Sequence, residues 1–336
     1  MAKKKQKKQL PHLDLIDGNN WANRAFYAVG FGKLDNGKGF NTNAIKGFNT
    51  MIMSLINRRK REGIKDHRIC VAFDVPSFKT FRHDLIEEWV ESNPKRAITC
   101  GMVKPDDKEH SHSYKGNRSK DPEVADSMRE QIKWIQRYLK ASGICVVIGA
   151  PYEADDYLGS IAYQNQDNAI IELQSRDKDF AQVAVEGKVT HVMPAQGKLP
   201  EVRIGNDEEC IKHFGVKVNQ IIEYLMLCGD KVDNITGVDG IGSKTAVGLL
   251  NEYGKLSKLK AVRKDIKGTA VWKRAMRGDK GTKGILPPFS LTRKLARIKI
   301  DIEDLPSMDD MRMGEIDGDK IRKLKKKFKM TSLMFT

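Results

Sequence analysis

Residues 144–177 read ICVVIGAPYEADDYLGSIAYQNQDNAIIELQSRD. A brief apolar run (144–149) gives way to a helical stretch opening at Glu153-Ala154-Asp155-Asp156, and a second apolar run begins at Ala169. Both runs are short and rich in Val, Ile or Leu, the signature of strands buried on both faces of a parallel sheet. Upstream, LDLID (13–17) and RICVAFD (68–74) are runs of the same kind. Between them, Ala44, Phe48, Met51 and Leu55 keep helical spacing, as do Met128, Ile132, Ile135 and Leu139. Strand–helix alternation predicts an α/β fold with a mainly parallel central sheet and helices on both faces. After residue 205 strand signals fade, and helices with Gly-rich turns follow. The expected organisation is a basic tail over 1–10, an α/β core over 11–205, a helical region over 206–305 and a basic extension over 306–336.

The 336 residues carry 60 Lys+Arg against 44 Asp+Glu, a net charge of +16 that points to a polyanionic partner, most simply nucleic acid. No apolar run is long enough to span a bilayer, and MAKKKQKKQL lacks the apolar segment of a secretory signal. Five scattered cysteines without a CxxC pair argue against a disulfide framework or zinc ribbon, so a cytoplasmic location is expected. His110 and His112 lie in a polar stretch with no matching Cys or further His nearby. His83–Ser113 shows neither a clear strand nor a sustained helix after Val90, as expected of a lid or a disordered loop. In the tail, Ile321, Leu324 and Phe328 fit one face of a short amphipathic helix.

Asp17 and Asp74 each close an apolar strand, and the carboxyl edge of an open α/β sheet is where ligands bind. Glu153, Asp155 and Asp156 fall in the first turn of a helix, with Glu153 and Asp156 on one face. Asp177 and Asp179 follow the fourth strand. Singly, each has an ordinary reading: acids complement a helix dipole, and Asp begins turns. Together, seven acids on one edge repel unless cations hold them, and an oxygen-only set favours Mg²⁺ or Mn²⁺ over zinc. No GxSxG elbow, P-loop or strand-linked GxGxxG competes.

Tyr114, Lys115 and Arg118 in YKGNR form either a polar loop or an aromatic beside phosphate-neutralising cations. GVDGIGSKTA (237–246) is a glycine-shaped hairpin opening an apolar helix, preceded by IIEYLML (221–227). Backbone N–H groups at such a turn suit a phosphate, and Lys244 adds charge, so the segment reads as a helix–hairpin–helix grip on a DNA backbone. Asp230 and Asp233 lie just upstream.

In order, LDLIDGNN, VAFDVPSFKTFR, YKGNR, PYEADDYLGSIA, LQSRDKDFAQV, GDKVDNITGVDGIGSKTA and LTRKLARIKID resemble the 5′-nuclease family: flap endonucleases and the 5′-exonuclease domain of bacterial DNA polymerase I, especially free-standing phage enzymes. The resemblance implies a PIN-like fold with a helical arch, here over 82–125, and two Mg²⁺ ions for which Mn²⁺ can substitute. It assigns Asp74, Glu153, Asp155 and Asp156 to one ion, with Asp17 in support, and Asp177, Asp179, Asp230 and Asp233 to the other. Lys115 and Arg118 match positions on the scissile phosphate, and Tyr114 and Arg82 fall in DNA-contacting blocks. Gly240, Gly242, Ser243, Lys244 and Thr245 match the duplex-binding hairpin, with K⁺ on backbone carbonyls such as those of Val238 and Ile241. The implied activity is 5′-3′ exonuclease and flap endonuclease action on DNA 5′ ends, flaps and branched junctions, with RNA–DNA hybrids in the same class. The implied setting is replication or repair, by a monomer that meets replication proteins in the cytoplasm (the host's, for a phage enzyme). One departure stands out: Arg82 and Tyr114 lie 31 residues apart, whereas these blocks are close in bacterial relatives. Two other readings remain: a structure-specific DNA-binding protein without strong catalysis, and an acidic-cluster ribonuclease.

Overall fold

A computed structural model describes residues 9–29, 34–75, 79–99, 121–230, 233, 237–238, 241–261 and 289–330. The chain divides into two compact units. The first comprises residues 1–76, 120–205 and 299–336; the second comprises 77–119 and 206–298.

The first unit is built on a six-stranded sheet of order β3-β2-β1-β4-β5-β6. Its strands are β1 (His12–Asp17), β2 (His67–Asp74), β3 (Cys145–Gly149), β4 (Ile170–Gln174), β5 (Val189–Met193) and β6 (Val202–Ile204). The first five run parallel and β6 pairs antiparallel with β5. The four apolar runs are therefore parallel neighbours, and their carboxyl ends share one edge. Central β1 is buried along nearly its whole length, as a strand covered on both faces must be.

On one face lie α1 (Gly18–Val29), α2 (Asn43–Arg61), α5 (Pro122–Ala141) and a C-terminal helix (Gly318–Phe328). Phe48 and Ile52 of α2 and Ile132 and Ile135 of α5 meet Val71 and Phe73 of β2 in one core. The expected amphipathic tail is present: Ile321, Leu324 and Phe328 are buried in that core. Helix α6 (Ala154–Asn165) packs on β1 and β2. It is tied to the segment after residue 298 by Ser160 Oγ on the Lys299 carbonyl (3.0 Å) and Gln164 Nε2 on the Ile302 carbonyl (2.7 Å).

The second unit, among its described residues, is helical. Helices α3 (Phe81–Ser92) and α4 (Pro94–Thr99) belong to it, so the chain after Val90 is more regular than its composition suggests. Pro94 at the first helical position costs no hydrogen bond there. Ala97 is fully buried with Ile86, Val90, Leu291 and Leu295, which holds this short helix in place. Helices α7 (Asp207–Phe214), α8 (Ile221–Cys228) and α9 (Ser243–Tyr253) follow. The buried Glu223 carboxylate caps the Leu256 N–H (3.1 Å) and pairs with Arg293 (2.9 Å). None of the described helices is long and apolar enough to cross a membrane.

Candidate active site

The carboxyl edge of the first unit gathers the acids through short-range geometry. Asp17 ends β1 and Asp74 ends the adjacent β2. Directly after Asp17, Gly18 opens α1, where a Cβ would lie 2.5 Å from the Phe73 ring; only glycine lets the helix start this close to β2. Asn19 then donates to Asp74 Oδ2 (3.2 Å), while its own Oδ1 accepts from the Asp74 N–H (3.2 Å). Asp74 Oδ1 accepts from the Ala154 N–H (2.8 Å), which docks the start of α6 against β2.

At that start Glu153 is the N-cap, and Glu153 and Asp156 form a reciprocal capping box, with the Glu153 N–H donating to Asp156 Oδ2 (3.1 Å). Fully buried, Asp156 accepts on its other oxygen from the Lys299 N–H (2.8 Å). Both of its oxygens thus hold backbone and it has no exposed surface, so Asp156 positions Glu153 and the 299–302 segment, whereas Asp74, bonded through both oxygens too, is half-buried. Asp155, one position around the turn, is more exposed. Beyond β4, Ser175 Oγ donates to Asp17 Oδ2 (2.8 Å) and accepts from the Asp177 N–H (3.0 Å). Asp177 Oδ1 in turn accepts from the Asp179 N–H (3.0 Å). Ser175 therefore couples the β1 acid to the β4 acids.

Electrostatically the edge is under tension. Burial raises the Asp17 carboxyl to about 7, and the negative charges of Asp74 and Asp177 push the same way, against the Asn20 N–H and Ser175 hydroxyl that lower it. Such a group ionises fully at neutral pH once a cation sits beside it. The donor set is carboxylate oxygen throughout, which suits a hard divalent ion. Asp74, Glu153 and Asp155 on one side and Asp177 and Asp179 on the other could hold it. Asp230, buried, and Asp233 belong to the second unit.

Other expected residues fare differently. Tyr114, Lys115, Arg118 and Gly240 lie outside the described residues, as do the basic N-terminal run and residues 100–113 of the stretch separating Arg82 from Tyr114. Arg82 is 2% exposed, and its guanidinium donates to the carbonyls of Leu295 (2.9 Å) and Arg297 (3.2 Å). It is a buried tie within the second unit, not the surface DNA contact its neighbourhood in the sequence suggests. Gly242, Ser243 and Lys244 are exposed at the start of α9, Thr245 is half-buried, and Val238 and Ile241 are buried. The Val238 N–H donates to the Leu227 carbonyl (2.7 Å), bringing the segment back onto α8.

Asn19, Asn20 and Ser175 organise the edge but carry no charge, so a search for acids passes over them. A second polar cluster was missed entirely. His12, Asp14 and Glu172 are buried with ligand atoms within 4.8 Å of one another, about 10 Å back along β1 from Asp17 by strand rise. A metal is excluded here by charge and space: Arg59, itself buried, bonds Asp14 through Nε (2.8 Å) and Nη2 (2.6 Å) and also reaches Glu172. His67 Nε2 lies 2.8 Å from Asp14 Oδ2. Arg203 also bonds Glu172 (2.5 Å), so two guanidinium groups are the cations of this cluster.

Comparison with known proteins gives the family. Residues 12–215 match the 5′-3′ exonuclease N-terminal resolvase-like domain, and residues 216–319 match the 5′-3′ exonuclease C-terminal SAM fold. The chain is 29% identical over 323 residues to the 5′-3′ exonuclease of Aquifex aeolicus (strain VF5), covering 96% of this chain and 93% of that one. It is 34% identical over 248 residues to DNA polymerase I of Bacillus subtilis (strain 168), covering 74% of this chain but only 24% of the polymerase. The fold is similar to that of T5 5′-exonuclease with bound zinc (TM-score 0.59, 18% identity, 85% of this chain and 89% of that one). It is also similar to the Rad2 catalytic core in complex with DNA (TM-score 0.54, 16% identity, 94% and 87%). With an acid-lined carboxyl edge on a parallel sheet and family matches spanning residues 12–319, the chain belongs to the 5′-3′ exonuclease family.

Proposed function

We propose that this chain is a Mg²⁺-dependent 5′-3′ exonuclease and flap endonuclease that hydrolyses phosphodiesters in DNA at 5′ ends, flaps and branched junctions. The observation that carries the reading is the hydrogen-bonded chain Asp74–Asn19 and Asp17–Ser175–Asp177 along one sheet edge, with Asp17 pushed up to about 7 by burial and, secondarily, by its acidic neighbours. Asp74, Glu153 and Asp155 would hold one ion and Asp177 and Asp179 the other. Asp17 and Asp156 orient the set, and Asp230 and Asp233 keep the second-ion role that the resemblance gives them. Bound divalent ions supply an acidified water near neutral pH and draw charge from the attacking and leaving oxygens.

The chain's own groups do the rest. Asn19 fixes the Asp74 carboxylate from two sides, and the Ala154 N–H fixes its Oδ1, so this ligand is oriented before any ion arrives. Lys115 and Arg118 offset charge on the phosphorane, and Tyr114 stacks on a base. Water adds to phosphorus as the bond to the 3′ oxygen breaks, leaving a 5′-phosphate and a 3′-hydroxyl. The exposed start of α9, with Lys244, supports a helix–hairpin–helix contact to duplex backbone aided by K⁺. In the cell, the same chemistry would remove flaps or RNA primers during replication.

Incubation with a 5′-flap substrate, with Mg²⁺ and then with excess EDTA, tests the reading. Metal-dependent release of the flap supports it. Binding without cleavage favours a DNA-binding role, and equal cleavage of unstructured RNA favours the ribonuclease reading.

A further inference from the structure

The C-terminal helix lies in the first unit and carries six Lys or Arg against one acid, Asp319. It runs antiparallel along α5: the Asp317 N–H donates to the Ala141 carbonyl (2.9 Å), and one end-to-end length later the Phe328 ring meets Trp134 edge-on (centroids 5.3 Å). Its apolar side is fully spent on this contact, since Ile321, Leu324 and Phe328 are at most 8% exposed. What remains is an outward face of charge.

From α5, Arg137 and Lys140 are exposed, one helical turn apart; from the C-terminal helix, Lys323, Lys326 and Lys327 are exposed on one stripe. Arg129, Lys320 and Arg322 are compensated by Asp126, Asp317 and Asp319. Two of the cations converge: Lys327 Nζ lies 4.0 Å from the Trp134 ring centroid and the Arg137 guanidinium 4.5 Å from the same centroid. The indole face offsets part of their mutual repulsion. An anion bound beside these cations would relieve the rest. Asp126 and Glu130 line the groove along the first half of α5, so the anion-attracting portion is the second half, where the C-terminal helix adds its lysines.

We propose that this α5–C-terminal-helix face is a second, sequence-independent grip on the phosphate backbone of duplex DNA, separate from the hairpin before α9. The lysines of the C-terminal helix lie past the last residue matched to the family models, 319, whereas Arg137 and Lys140 fall within the matched residues 12–215. A basic amphipathic helix is also a form that binds membranes, but that mode needs a free apolar face to insert. Here that face is already inside the protein, leaving only electrostatic attraction to offer, and a duplex backbone requires nothing more. The inference rests on the DNA reading above for its partner.

The test uses the full chain in EDTA, with a blunt 40-base-pair duplex and salt titration from about 50 to 200 mM. The quadruple variant Lys323→Gln, Lys326→Gln, Arg137→Gln, Lys140→Gln should bind at least tenfold more weakly at low salt. Its slope of log affinity against log salt should fall by about 0.9 for each phosphate that is no longer neutralised. A charge-keeping set, Lys323→Arg, Lys326→Arg and Lys140→Arg, should retain the wild-type slope, which separates charge from packing. An unchanged slope in a quadruple variant with wild-type thermal unfolding overturns the proposal. So does an unchanged DNA slope accompanied by loss of binding to phosphatidylserine vesicles, which would assign the face to anionic lipid. Absence of wild-type cleavage with the slope loss intact would sink the nuclease reading and leave this grip standing.

Discussion

Asp17 offers a quantitative test of the edge because its environment is costly without a cation. In chelated protein its carboxyl sits at about 7, against 3.8 for an ordinary aspartate. The sign follows from linkage: the folded state binds this proton more tightly than the unfolded chain, so stability is full below pH 4 and falls as pH rises through 7. A gap of about three units corresponds to at most ~4 kcal/mol, at 1.36 kcal/mol per unit. The side chain keeps some contact with water, which lowers the expected loss to about 2 kcal/mol. Asp17→Asn removes the titration yet keeps an acceptor for the Asn20 N–H and places a donor toward Ser175 Oγ. Urea unfolding in EDTA at half-unit steps from pH 4 to 8 should therefore show a falling curve for the wild type and a flatter one for Asp17→Asn, which gains on the wild type between pH 4 and 7 and stays ahead above pH 7. Saturating Mg²⁺ should restore the wild type there. Parallel pH curves for the two proteins would refute the reasoning, since the missing proton would then belong to other groups.

Other perturbations separate chemistry from scaffold. Asp74→Asn and Asp155→Asn should each lower flap cleavage about a hundredfold or more while duplex binding in EDTA persists; near-normal turnover in both would misplace the site. Ser175→Ala, which unlinks Asp17 from Asp177, should weaken the apparent Mg²⁺ affinity by about tenfold, read as a rise in the half-saturating metal concentration. Arg59→Met should cost about 3–5 kcal/mol in urea unfolding by stranding the buried Asp14 charge and removing one of the two guanidinium groups on Glu172; unaltered stability would show that Asp14 is protonated. Arg82→Ala should lower the melting temperature of the protein yet leave the salt dependence of DNA binding unchanged, whereas a reduced slope would restore a direct DNA contact.

The four strands that build the site were legible because LDLI, ICVAF, CVVI and IIEL are nearly unbroken apolar runs of strand length, although edge strand β3 is only partly covered. Strands β5 and β6 escaped notice: VTHVM carries a buried His191 whose Nε2 is satisfied by the Ser175 carbonyl (2.9 Å), and VRI has only three residues. The pairing of Glu153 with Asp156 was legible from spacing alone, since a capping box is a local device. The bonds of Asn19 to Asp74 and Ser175 to Asp17 were not, because they join residues 55 and 158 positions apart. Arg59 shows the limit most clearly. Within RRKR (58–61) it looks like one charge of a solvated run, yet it is 1% exposed while its neighbours Lys60 and Arg61 face water. Nothing in the run marks which arginine turns inward; the buried Asp14 and Glu172 on β1 and β4 select it.

The central claim, that the carboxyl edge is the metal-holding edge, is tested most directly by anomalous diffraction from crystals soaked in Mn²⁺. The account predicts peaks within coordination distance of Asp74, Glu153 and Asp155 and of Asp177 and Asp179. Peaks confined to His12, Asp14 and Glu172, or an edge that stays empty at saturating Mn²⁺, would contradict it.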